Sequence, residues 1–485
     1  MTIKSPRNNS ENLPLREIPG GYTYAGSSFL GAIKDRYDYF YNQGGQDNFF
    51  LAKLRKYNST VFRSNMPPGP FISRDPRAVV LLDAAAFPLL FDNSKVDKRD
   101  VLDGTFMPST AFFGGHRPCA FLDPTEPSHA ALKSFFLATL AGLHKSFLPL
   151  FTASLGDLFV SLESEVSRKG KAGFNNASDR MSFDFIFRLF CDGKDPSQTK
   201  VGDGGSKLVD SWIQFQISPL YSMGSSKFVP NFLDDLIFHV FPLPFLAVKS
   251  AYKKLCDVFS ESAAPLLDEA EKRGLERDEA LHNLVFLAGF NAYGGMKAFF
   301  PSLIKWVGSA GEDLHRRLFK EIRAVVMEED GVTLIALEKM SLTKSVVYEA
   351  LRIEPPVPFQ YGKAREDTVV QSHDSSFLIK KGETIVGYQP LVMKDPKVFA
   401  DPERFVPDRF VGEGGDMIRY VFWSNGRETC NPTAGNKQCA GKDLVVLMAR
   451  LILVELFLRY DSFEVEWERL IIGLSVTIVS FTKRT

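Results

Sequence analysis

The chain has 485 residues, 45% of them apolar and 24% charged, an ordinary composition for a folded protein. Its 58 basic and 58 acidic side chains cancel, which removes the electrostatic case for nucleic-acid binding. Five cysteines, odd in number and widely spread, argue against a disulfide framework and for a reducing compartment.

Residues 1–12 read as a polar, disordered tail. The opening "MTIKSPRNNSENLPLREIPG" has no apolar stretch of the signal-peptide kind and is short for a transit peptide. The expectation is therefore a cytoplasmic protein, or one held peripherally on a membrane or lipid body. "STVFRSNMPPGPFISRDPRAVVLLD" (59–83) alternates β-branched and apolar residues around a Pro/Gly turn and predicts strands. Helical patterns dominate from about 125 to 350. The apolar segment 278–308 is long enough to cross a domain, and "SLTKSVVYEALRI" (341–353) predicts a helix stopped by "EPPVP". Strands return over 367–389, followed by an irregular stretch, 390–438. "DLVVLMARLILVELFLRY" (443–460) is broken by Arg450 and Glu455. It falls short of a clean membrane span of about 20 residues and predicts a buried helix. The 43 Phe residues either fill core or line an interior suited to a lipid-like ligand. Together the elements predict one domain, 13–485, mainly α with a smaller β part.

Two cysteines lie in "GRETCNPTAGNKQCAGKD" (426–443). A metal-bound thiolate needs its pKa lowered, and the start of a helix does this through its dipole and free N–H groups. Cys439 directly precedes the apolar helix. Cys430 precedes Asn431-Pro432, and proline pushes the preceding chain away from helix. Of the two, Cys439 is the candidate ligand. Taken alone, the choice between a ligand and a buried apolar cysteine stays open.

Other motifs weigh in. Glu349 and Arg352 stand three apart on one helix face, Arg409 lies in "DPERFVPDRF" (401–410), and "KQCAG" (437–441) precedes the apolar helix. This order and spacing resembles the cytochrome P450 superfamily, with Lys437 in place of the usual Arg. The resemblance implies a single-domain cytochrome P450 fold carrying haem b, with Cys439 as the axial thiolate on iron. It further implies a buried network of Glu349, Arg352 and Arg409. Lys437 would stand near a haem propionate, and so would His129 or Lys133 of "EPSHAALK", which otherwise read as surface charges.

The central stretch "LAGFNAYGGMKAFF" (287–300) holds neither the carboxylate nor the threonine that P450 monooxygenases use to deliver protons to bound oxygen. The loop from "SNG" (424–426) to Cys439 is also longer than the superfamily pattern. Both departures are those of the plant cytochrome P450 family that metabolises fatty-acid hydroperoxides: hydroperoxide lyases, allene oxide synthases and divinyl ether synthases. "NMPPGPF", "GTFMPST", "FLDPTEPSHAALK", "FNAYGGMK", "WSNGRET" and "NKQCAGKD" carry the resemblance, which runs from residue 13 to about 482. It implies a lyase in oxylipin biosynthesis that takes 9- or 13-hydroperoxides of linoleic and linolenic acid and uses neither O2 nor a reductase.

In that family Asn291 would orient the hydroperoxide above the haem, and Gly294 and Gly295 would leave room for the fatty chain. O–O homolysis gives an alkoxyl radical that closes onto the neighbouring double bond. Loss of an electron and a proton then gives an allene oxide. Return of the hydroxyl gives a hemiacetal that falls into an aldehyde and an oxo-acid. Leu102, in "RDVLDGTFMPST", stands where allene oxide synthases usually carry Phe; without that π-face, return of the hydroxyl gains. The expectation is a lyase, with an allene oxide synthase as the first alternative. A reductase-dependent monooxygenase and a haem-binding sensor follow. His116 and Arg117 of "AFFGGHRPC" are expected near the substrate entrance and exposed.

Overall fold

The computed structural model describes residues 13–42, 44–73, 75–101, 104–223, 229–470 and 473–483. The tail expected over 1–12 lies outside the described residues. Helix takes up 55% and strand 12%, in keeping with a mainly α fold.

Five strands form the main sheet, in the order Val61–Asn65, Arg77–Leu81, Thr384–Tyr388, Phe359–Ala364, Val96–Asp97. Val79 and Leu81 face one apolar cluster and Ala78 and Val80 another on the opposite side of the sheet, which explains the unbroken apolar run. Gly387 is required by contact: a Cβ there would sit 2.2 Å from the Phe87 ring. Two small sheets complete the β part. One pairs Leu15–Arg16, Ser376–Ile379 and Thr368–Gln371, and the other pairs Ser462–Arg469, Leu474–Thr482 and Ala172–Gly173.

The predicted strands at 59–83 and 367–389 and the helix Ser341–Ile353 are found. Absent from the expectation were the helices Ser28–Phe40 and Gly45–Tyr57, the strand Phe359–Ala364 and the carboxy-terminal hairpin. The hairpin strand Ser462–Arg469 is largely exposed, so its sequence carries no continuous apolar run. The predicted buried helix forms at Lys442–Arg459; Arg450 is buried in it and donates to Glu338 Oε1 at 2.7 Å. Among the described residues no single helix is long and apolar enough to cross a membrane. Much of the phenylalanine fills core: Phe151 and Phe185, for example, meet edge to face at 4.7 Å.

The central helix is not uniform. Arg277–Phe286 is α-helical, Leu287–Tyr293 is a π-turn, and Gly294–Ser309 resumes the α-helix. π-turns inside helices accompany functional sites, and this one contains Asn291.

Candidate active site

Cys439 sits in a tight turn. Its N–H donates to Ser424 O at 2.8 Å, and its own carbonyl accepts from Lys442 N–H at 3.2 Å, where the helix Lys442–Arg459 begins. Burial pushes the thiol up, while the Lys133 ammonium and the Gly441 N–H draw it back. Cys439 is enclosed by protein and still keeps accessible surface. A side chain both deep and accessible lines an interior space instead of plugging a core. Cys430 is exposed.

The long loop before Cys439 is held by Glu428, which the motifs did not single out. Its carboxylate is buried and accepts from Tyr348 Oη at 3.1 Å, Trp423 Nε1 at 2.9 Å and Lys442 Nζ at 3.4 Å. Trp423 belongs to the same irregular stretch, but Tyr348 comes from the helix Ser341–Ile353, so the acid ties the insertion to the core.

Basic groups gather beside this turn. Lys133 Nζ donates to Gln438 O. Lys437 Nζ donates to three carbonyls, Cys119 O at 3.1 Å, Ala120 O at 2.7 Å and Leu122 O at 2.9 Å, so all three of its hydrogens are in use. Burial brings Lys437 down to about 8. Lys98, unnoticed in the sequence, donates to Tyr361 O at 2.7 Å; burial first, then the Lys437 charge, bring it down to about 7. His129 is fully buried, brought down to about 4 by burial and then by Lys437 and Lys133, and its Nδ1 has no partner. His129 and Lys133 are therefore interior groups, which excludes the alternative of surface charges.

Two carboxylates act on this cluster, Asp123 and Glu126, and Glu126 is paired with Arg117 at 2.7 Å. Asp123 is already engaged by the Lys98 N–H at 2.6 Å, by Thr125 Oγ1 at 2.7 Å and by Arg365 Nη2 at 2.5 Å. Buried bases outnumber buried acids, and one imidazole nitrogen is orphaned. That donor set fits a flat ligand carrying two carboxylates and taking a thiolate, as haem does.

On the central helix an accessible stripe runs through Asn291, Gly295 and Ala298, spaced as one helix face, while Tyr293, Met296, Phe299 and Phe300 are buried behind it. The Asn291 amide makes no hydrogen bond to the described residues and is free to bind a ligand. A Cβ at Gly295 would meet nothing within 4 Å, so that glycine faces open space; one at Gly294 would make ordinary contact with Ile213 at 3.5 Å. Only Gly295 widens the stripe.

Glu349 and Arg352 form a doubly hydrogen-bonded pair, at 2.7 and 2.8 Å, and Arg409 Nε donates to Glu349 Oε2 at 2.9 Å. The guanidiniums also grip the carbonyls of Met393, Pro402 and Ala400. The resemblance implies this trio, and the structure brings the three side chains into contact. Leu102 lies outside the described residues; its neighbour Thr105 donates to Pro67 O at 3.3 Å. Arg117 is not free in solvent: it pairs with Glu126 at 2.7 Å and Asp100 at 2.8 Å, while His116 meets Asp278 at 2.8 Å.

Residues 312–469 match the family described as Cytochrome P450, a span that includes Glu349, Arg352, Arg409 and Cys439. The chain is 56% identical to allene oxide synthase 3 of Solanum lycopersicum over 485 residues, covering 100% of this chain and 98% of that one. It is 54% identical to a divinyl ether synthase of Nicotiana tabacum, over 98% of this chain and 99% of the relative. An allene oxide synthase of Parthenium argentatum is 50% identical, over 97% and 98%.

Proposed function

We propose a hydroperoxide lyase for this chain, which belongs to the plant family of cytochrome P450 enzymes that act on fatty-acid hydroperoxides. The observation that carries the reading is the central helix: its accessible stripe offers an amide and a missing side chain, and no proton-delivering acid or threonine. Haem bound at Cys439 supplies a thiolate-ligated iron able to split an O–O bond that the lipid brings with it. The chain's own groups do the rest. Lys133 and the Gly441 N–H steady the thiolate. Lys98 and the orphaned His129 Nδ1 would meet the haem carboxylates, while Lys437, its hydrogens spent on carbonyls, would act on them through its charge alone. Asn291 donates to the hydroperoxide and turns it toward the metal, and the gap at Gly295 accepts the chain. At the branch, the resemblance sets aliphatic Leu102 where allene oxide synthases usually carry Phe, which favours return of the hydroxyl and hemiacetal formation.

A second reading, dehydration to an allene oxide, is favoured by the name of the 56% identical relative. Mass-spectrometric product analysis of the haem-loaded protein with 9- and 13-hydroperoxides decides. Aldehydes and oxo-acids without NADPH support the lyase. Ketols and cyclopentenones support the second reading. Unchanged product ratios in Leu102→Phe would remove Leu102 from the account, and a requirement for NADPH would sink both readings.

We also infer that the enzyme works at a lipid surface, where its amphiphilic substrate partitions. Phe232, Phe241 and Leu246 are 63%, 67% and 78% exposed, and Phe29 and Phe71 stack edge to face at 5.6 Å nearby. Arg36 joins the two groups by donating to Pro70 O at 3.2 Å and His239 O at 3.4 Å. Flotation with phospholipid vesicles should be lost in Phe232→Ser/Phe241→Ser; equal flotation would refute the docking face.

A further inference from the structure

Behind the accessible stripe, the opposite side of the π-turn is held from outside its own helix. Tyr293 is fully buried, and its hydroxyl donates to Asp210 Oδ1 at 2.8 Å. Lys297, one turn further on, donates to Asp210 Oδ2 at 3.1 Å and also to Asp179. The two oxygens of Asp210 thus bind residues on either side of the joint where the π-turn ends and the α-helix resumes. Asp210 sits in the helix Gly205–Ile217, which also braces the other half of the turn. A Cβ at Gly289 would lie 3.1 Å from the Trp212 ring and 3.3 Å from Val209. Trp212 is itself fixed, its indole N–H donating to Phe112 O at 2.9 Å.

The geometry matters because a π-turn holds one more residue than an α-turn. At 3.6 residues per turn, each residue advances the helix by about 100°. Relaxation of Leu287–Tyr293 to plain α-helix would change the angular relation between Asn291 and the helix beyond it by about that much. An amide that far off its line no longer faces the same ligand. The anchor at Tyr293 and Lys297 opposes this, since both side chains would have to leave Asp210.

We propose that Asp210 is a positioning residue for hydroperoxide turnover: through Tyr293 and Lys297 it holds the π-turn in the register that presents Asn291. This rests on the reading above that Asn291 orients the hydroperoxide. Tyr293 is buried behind the accessible stripe, so the anchor acts through the helix.

The test uses the haem-loaded enzyme and four variants: Tyr293→Phe, Asp210→Asn, Asn291→Ala, and Asn291→Ala/Tyr293→Phe. Steady-state kcat and KM for the hydroperoxide are read beside the haem absorbance shift on titrating the corresponding unreactive hydroxy fatty acid. Removal of a hydrogen bond to a charged group should lower kcat about tenfold in Tyr293→Phe, with KM changed by less than about threefold. The absorbance shift should change in the same variant. The double variant should be no slower than Asn291→Ala alone, because both changes remove one function. Asp210→Asn keeps an acceptor for Tyr293 and should recover part of kcat, and it serves as the test if Tyr293→Phe does not fold. Full kcat in Tyr293→Phe with Asn291→Ala crippled would overturn the anchor and leave the reading of Asn291 intact. Full turnover in Asn291→Ala would overturn both. Multiplicative losses in the double variant would make the anchor an independent stability device and overturn the proposal.

Discussion

Replacing Glu349 by Ala tests the buried charge network most directly. Glu349 accepts four hydrogen bonds: from Arg352 Nε at 2.7 Å, Arg352 Nη2 at 2.8 Å, Arg409 Nε at 2.9 Å and the Val406 N–H at 2.8 Å. Glu349 and Arg352 are fully buried and Arg409 nearly so. Removing the carboxylate leaves two guanidiniums facing each other without a counter-charge. Breaking one buried pair costs roughly 3–5 kcal/mol. The second cation and the orphaned N–H add about 1–3 kcal/mol. The total, roughly 4–8 kcal/mol, is a large part of the 5–15 kcal/mol, roughly, that holds a folded domain together. The carbonyls gripped by the two arginines belong to the segment leading into the cysteine loop, so haem should be lost in the same step. Urea unfolding of the haem-loaded protein, followed by tryptophan fluorescence and haem absorbance together, measures it. Glu349→Gln, which keeps the shape but not the charge, should fall between wild type and Ala. A loss below about 1 kcal/mol in Glu349→Ala would refute the reasoning, since two buried cations would then be tolerated unpaired.

Cys439→Ser should lose the thiolate-type haem spectrum and fall to background turnover, while Cys430→Ser, at an exposed position, should change neither. Gly387→Ala places a methyl group against Phe87 and should cost about 1–3 kcal/mol in urea unfolding, with the haem spectrum of the folded protein unaltered. His373 donates to buried Asp395 at 2.6 Å, and this hydrogen bond raises it above its usual 6.5. A raised histidine contributes stability that is full below its unfolded value and lost as pH rises through its folded value. The stability gap between wild type and His373→Gln should therefore narrow as pH is raised from below 6.5 into the alkaline range; a gap that widens would show the ion pair to be misread.

Several parts of this site could be read without coordinates because local rules were enough. Proline after Asn431 kept Cys430 out of a helix, and the helix beginning at Lys442 leaves Cys439 in the turn before it. Glu349 and Arg352 share a helix face by spacing alone. Arg409 entered only through the resemblance, because it reaches Glu349 from a loop with no periodic pattern. Lys98 and Glu428 were missed for the same reason: a single charged residue in an irregular stretch reads as solvated surface, and only the surrounding chain shows it buried.

Helix and strand patterns along the chain determined a mainly α fold with a smaller β part, and the motifs carried the resemblance that implies haem with Cys439 as its thiolate, because each depends on residues near one another or on a shared pattern along the chain. The tertiary structure alone decided that His129 and Lys133 are interior, that Lys437 spends its hydrogens on carbonyls, and that Asp210 reaches Tyr293. It also revealed the π-turn. An extra residue in one helical turn leaves the apolar pattern of that turn almost unchanged, and the forces that keep it there come from a different helix.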